Sequence, residues 1–110
     1  MGDVDVMGDM ERRHNNVLEL ACVKEPEGGK IEYWNIKKTD DSEFDQIIGH
    51  GVAREVLTLC CDERDASALG AVMHDIIKHG QVDDVVLGFL AEIEWQVTKL
   101  IRLSPDFSVD

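Results

Sequence analysis

Two adjacent cysteines, Cys60 and Cys61, stand in "LTLCCDERD" between an apolar run and a burst of charge. Thiols can ligate metals or act as nucleophiles. A tetrahedral ion takes paired ligands with two to four residues between them, and adjacent cysteines on a strand point to opposite faces. A bond between such neighbours lies far from ordinary disulfide geometry. Nucleophilic thiols need a lowered pKa, which Asp62, Glu63 and Asp65 oppose. One or both of the sulfurs therefore read as small buried hydrophobes.

The histidines are the next chemistry-bearing residues. His50 lies in "GHG", where flanking glycines permit close approach of a ligand. The plainer reading of the same stretch is a turn out of a helix. His74 and His79 are five apart and do not share a helix face, whereas Asp75 and His79 are four apart and do. His50, Cys60/Cys61 and Asp75/His79 together support one reading, a small enzyme or metal-binding domain. Against it, the chain has no nucleophile elbow, phosphate-binding loop, zinc-protease motif or dinucleotide fingerprint. No catalytic, metal or cofactor role is assigned.

Acid is the strongest compositional signal. Among 110 residues, 23 are acidic and 11 basic, for a net charge of -12 and a pI near 4.5. Such a polyanion repels nucleic acid and anionic membrane and favours a basic protein. The acid is concentrated in Asp40, Asp41, Glu43 and Asp45, in Asp62, Glu63 and Asp65, and in Asp83 and Asp84. Each group falls at an expected helix start, where capping and the helix dipole favour carboxylates. Gathered on one end of the fold, they would steer a basic partner or imitate nucleic-acid phosphates toward a protein that binds DNA or RNA.

Trp95 is the last candidate. On a wheel of the final helix the core stripe is expected to run through Val82, Val86, Phe89, Ile93, Val97 and Leu100. Trp95 falls nearly opposite, beside the small residues Ala91 and Gly88. Tryptophan is enriched at interface centres, so Trp95, Gly88 and Ala91 read as an apolar anchor for a partner or a homodimer. Packing of Trp95 within its own chain is the competing reading.

The elements that must position these residues follow from periodicity. Residues 1–11 and 104–110 read as loose tails around a single domain, 12–103. "VLELACVKEPEGGKIEYWNIKK" alternates around a Pro/Gly turn and predicts a β-hairpin. Asp40 with Glu43 predicts a capped helix start, and Gly49 is expected to end that helix, since two interior glycines cost about 1 kcal/mol each. The run 52–61 is rich in Val, Thr and Cys and predicts a third strand, with continuation of the preceding helix as the alternative. "DERDASALGAVMHDIIKHG" and "QVDDVVLGFLAEIEWQVTKLIR" predict two amphipathic helices, closed into an antiparallel hairpin by the short connection at Gly80.

The expected fold is α+β, a small sheet covered by helices. Three cysteines, two of them adjacent, make no disulfide framework. The start has no basic and apolar leader pattern, and the apolar runs are too short to span a membrane. The sequence thus predicts a small acidic cytoplasmic protein that binds a basic protein partner without catalysis, of inhibitor, immunity, chaperone or adaptor type.

Overall fold

The structure, a computed structural model, describes residues 17–25, 29–104 and 106. Among them it contains three helices and no strand: α1, Ser42–Glu63; α2, Ser67–His79; and α3, Asp84–Leu103. The fold is all-helical, not α+β. The expected N-terminal tail, most of the expected C-terminal tail and most of the "EPEGG" turn lie outside the described residues.

Helix α1 is the first correction. Its N-cap is Asp41, not Asp40; the Asp41 carboxylate accepts a hydrogen bond from the Phe44 N–H at 3.1 Å. The helix then runs through Gly49, His50 and Gly51 and takes in the whole segment expected to be a third strand. Val52, Ala53, Val56 and Leu59 are buried on one face of it. That spacing is helical, and burial overrides the strand preference of Val, Thr and Cys. The helix ends at Arg64, which adopts the left-handed conformation (φ 52°, ψ 44°), and its N–H reaches the Cys60 and Cys61 carbonyls.

The N-terminal segment is the second correction. It meets itself at one antiparallel bridge, Lys24 with Glu32, through N–H···O bonds of 2.8 and 2.7 Å. Among the described residues no ladder extends that bridge: the next cross-segment bond runs from the Asn35 N–H to the Cys22 carbonyl at 2.7 Å, one residue out of the register that Lys24 and Glu32 set. The Ala21 N–H donates to Glu55 Oε1 at 2.7 Å, and the Tyr33 N–H to Asp75 Oδ2 at 2.7 Å. These two outward-facing donors pin the segment to α1 and α2. Leu20, Cys22, Val23 and Trp34 enter the core, where the Trp34 ring meets Phe89 edge-on at 5.3 Å.

The third correction concerns helix pairing. Helices α2 and α3 form where their periodicity predicts, and Gly80 closes α2 with φ +71°. They do not form a hairpin and touch at most marginally. The main helix contact is between α1 and α3, which run parallel: Gln46 lies beside Asp84 and Gly88, and His50 and Arg54 beside Glu92. Gly49 and Gly88 form the crossing. A Cβ on Gly49 would stand 2.0 Å from the Val85 carbonyl oxygen, and one on Gly88 2.1 Å from the Gln46 carbonyl oxygen. Backbone meets backbone there, closer than helices spaced by side chains can come.

The expected core stripe of α3 is also rotated. Its buried residues are Val85, Val86, Gly88, Phe89 and Glu92, a face turned by about 80° from the predicted one. Val97 and Leu100, expected inside, are exposed, and Val82 precedes the helix and is exposed.

Candidate functional site

Three places gather the residues that could act. The first is the α1–α3 crossing. Glu92 is buried, with 2% of its surface exposed, yet carries a carboxylate. It accepts a hydrogen bond from Gln96 Nε2 at 2.6 Å and forms an ion pair with Arg54 Nε at 3.4 Å, and its Oε1 lies 3.0 Å from His50 Nδ1. The Gln96 amide holds its carboxyl below the usual range, against the opposing effect of burial, and His50 and Arg54 add to the lowering. His50 is thereby fixed by one ring nitrogen while 40% of its side chain remains exposed. This network joins the helices and satisfies a carboxylate that burial would otherwise penalise.

The second place is the end of the molecule where α1 and α3 begin. Because the helices are parallel, their acidic starts lie at the same end, where Asp40 lines one cleft with Asp83 and Asp84. Gln46 Nε2 donates to Asp84 at 3.3 Å across the gap, and Lys38, Thr39, Asp45 and Gln81 share the cleft between the two starts. Asp83 caps α3 by accepting from the Val86 N–H at 3.0 Å. Asp45, buried, accepts from the Thr39 N–H at 2.9 Å and from the Thr39 hydroxyl at 2.8 Å. The third acidic group is elsewhere. Asp62 and Glu63 are the last residues of α1 but one and the last, a helix end and not a start. Asp65 tightens the turn into α2, accepting from the Ser67 N–H at 2.8 Å and from its hydroxyl at 2.5 Å.

The third place is the outer surface of α3. Leu87, Leu90, Trp95, Val97, Leu100, Ile101 and Leu103 are all exposed large apolar side chains. Trp95 is half exposed, with the Lys99 ammonium 6.0 Å from its ring centre. Ala91 is exposed, but Gly88 is buried beneath Gln46. The expected anchor of Trp95, Gly88 and Ala91 therefore lacks its glycine, and the apolar surface extends along positions the sequence reading did not single out. The expected core stripe, turned by about 80° from the buried face, leaves Leu87, Leu90 and Ile101 without a role.

The remaining candidates are dispersed. Cys60 and Cys61 sit about 100° apart on a helix, not on opposite faces of a strand. Burial pushes the Cys60 thiol up, with smaller contributions from Cys61, Glu63 and Asp65 partly offset by the Leu69 backbone. Cys22, fully buried, is pushed up to about 12 by burial and then by Glu55. Asp75 is occupied by the Tyr33 N–H, while His79 is exposed. Among the described residues, no three His, Cys, Asp or Glu side chains converge to hold a metal ion, and no helix is long and apolar enough to cross a membrane.

Comparison of the chain with protein-family models, with curated proteins and with solved structures found no match.

Proposed function

We propose that the protein is a small acidic binding module that acts by docking on a basic protein partner, without catalysis. The observation that carries this reading is the exposure of seven large apolar side chains along α3, of which Leu87, Leu90, Val97 and Ile101 share its outward face. Scattered apolar residues are normal on a surface, but a concentration of them marks an interaction site. Acid gathered at the adjoining helix starts suits a basic target, because opposite charge speeds encounter and excludes wrong partners. A reducing cytoplasmic setting accords with three free thiols, one of them pushed far from ionisation. Inhibitor, immunity factor, chaperone and adaptor all fit this mode of action.

The test is affinity capture from lysate of the native host with the wild-type chain and with a Trp95→Asp, Leu90→Asp, Ile101→Asp variant. The wild type should retain a specific protein that the variant loses, with far-ultraviolet circular dichroism unchanged. Equal retention by both, or none by either, would overturn the reading.

A narrower version is favoured by the pairing of two acidic helix starts at one end, Asp40, Asp41 and Glu43 with Asp83 and Asp84. In that version the acid imitates nucleic-acid phosphates toward a nucleic-acid-binding partner. Competition with DNA for the captured partner, abolished by high salt, would support it; salt-insensitive capture without competition would refute it.

A further inference from the structure

We infer that the outward face of α3 receives an amphipathic helix of a partner protein, laid along it with coiled-coil spacing and carrying a lysine or arginine opposite Glu94. The inference rests on the protein-binding reading above and adds the kind of element that binds and the charge it carries.

The spacing is the first support. Leu87, Leu90, Glu94, Val97 and Ile101 follow one another at intervals of three, four, three and four residues. All five lie inside α3 and all five are exposed, the four apolar ones by 47, 42, 45 and 52%. This alternation averages 3.5 residues, the repeat that keeps one seam facing a second helix along its length. An edge strand would be matched by alternation of period two, and a loop by no period at all. The seam is turned about 150° from the buried face of α3, so the protein's own core does not use it.

Charge selects the occupant. Glu94 is the middle residue of the seam, seven residues from either end. The positions flanking the seam, Ala91, Ile93, Thr98 and Leu100 among them, carry no charge. Two copies of this chain paired along the whole seam would set Glu94 against Glu94 in either direction, with no flanking cation to offset it and a net charge of -12 on each. Like charges placed opposite one another are penalised, and a polar residue at one seam position selects partner and register. A foreign helix with a cation at its central seam position meets both requirements. Since Glu94 is central, the match holds for parallel and antiparallel docking alike.

The test uses two fluorescent, stapled helical peptides of three heptads each. Both carry leucine at the seam positions; the central seam residue is lysine in one and glutamate in the other. Titrated against the full chain at low salt and read by anisotropy, the lysine peptide should bind about tenfold more tightly. Glu94→Lys should reverse the preference, and Leu90→Asp with Ile101→Asp should abolish binding of both peptides while thermal stability is kept. Equal affinity for the two peptides, no binding of either, or an unchanged preference in Glu94→Lys overturns the inference. So does a wild-type dimer in sedimentation that the Leu90→Asp, Ile101→Asp variant dissociates, which would make a second copy the occupant. If lysate capture succeeds while the peptides fail, the helical occupant is rejected alone; if capture fails, the binding-module reading falls with it.

Discussion

Gly49 and Gly51 differ by two positions in one helix, and the same substitution should move stability in opposite directions at them. A Cβ on Gly49 would lie 2.0 Å from the Val85 carbonyl oxygen and 2.6 Å from the Phe89 nitrogen. Both are backbone atoms of α3, so no side chain can rotate aside. Relief to even 3.0 Å requires the helices to separate by about 1 Å, which loosens the packing of close-fitted side chains beside the crossing. Overpacking costs up to about 3 kcal/mol, and alanine regains about 1 kcal/mol of helix propensity over glycine. Gly49→Ala should therefore destabilise by about 2 kcal/mol. Gly51 has nothing within 4 Å of its virtual Cβ, so Gly51→Ala should stabilise by about 1 kcal/mol. At about 4 °C per kcal/mol for a domain of this size, the melting temperatures should bracket that of the wild type by about 8 °C below and about 4 °C above. Thermal and urea unfolding followed by circular dichroism measures both. A Gly49→Ala protein as stable as Gly51→Ala would refute the close parallel crossing.

Further outcomes are expected elsewhere. Arg64→Gly should stabilise by about 0.5–1 kcal/mol in urea unfolding, because Arg64 holds a left-handed conformation that glycine adopts freely. Asp83→Ala should cost about 1 kcal/mol by removing the cap that receives the Val86 N–H. Glu92→Gln tests the buried network through pH. The folded state holds the Glu92 carboxyl below its ordinary range, so its contribution to stability is complete above the unfolded pKa and is lost as pH falls through the folded one. The stability gap between wild type and Glu92→Gln should therefore be widest near neutrality and close on acidification; a gap independent of pH would contradict the assignment. Thiol alkylation under native conditions should label Cys61, which is exposed, well before the buried Cys22, as read by mass spectrometry of timed aliquots.

Much of the helical part was legible. Asp83 as a start, Gly80 as a stop and the 3.6-residue spacing of Val72 and Ile76 mark α2 and α3 through local chemistry alone, and the structure has these features. The glycines of "GHG" misled because glycine reports only a backbone permission. Here Gly49 uses it for contact with another helix, a purpose that depends on residues near position 88. The hairpin misled for a related reason. Alternation in residues 18–38 is genuine, but the register slips beside the Lys24–Glu32 bridge, where the Asn35 N–H takes the Cys22 carbonyl, and the segment is held to the helices by the Ala21 and Tyr33 N–H groups through Glu55 and Asp75, partners 34 and 42 residues away that no local pattern can announce. Of the candidate site, the exposure of Trp95 and the acidity were readable, while the angular position of the α3 core was not. The inward-facing residue Glu92 looks like a surface residue until His50, Arg54 and Gln96 surround it.

Composition and local periodicity alone determined that this chain is acidic, that two helices occupy its C-terminal part and that the first of them stops at Gly80, because these depend on neighbours within a few residues. Only the tertiary structure decided that α1 is one unbroken helix, that α3 pairs with it in parallel, and which face of α3 is left over. Those outcomes turn on a contact between Gly49 and Gly88, whose small size matters only once the two helices meet.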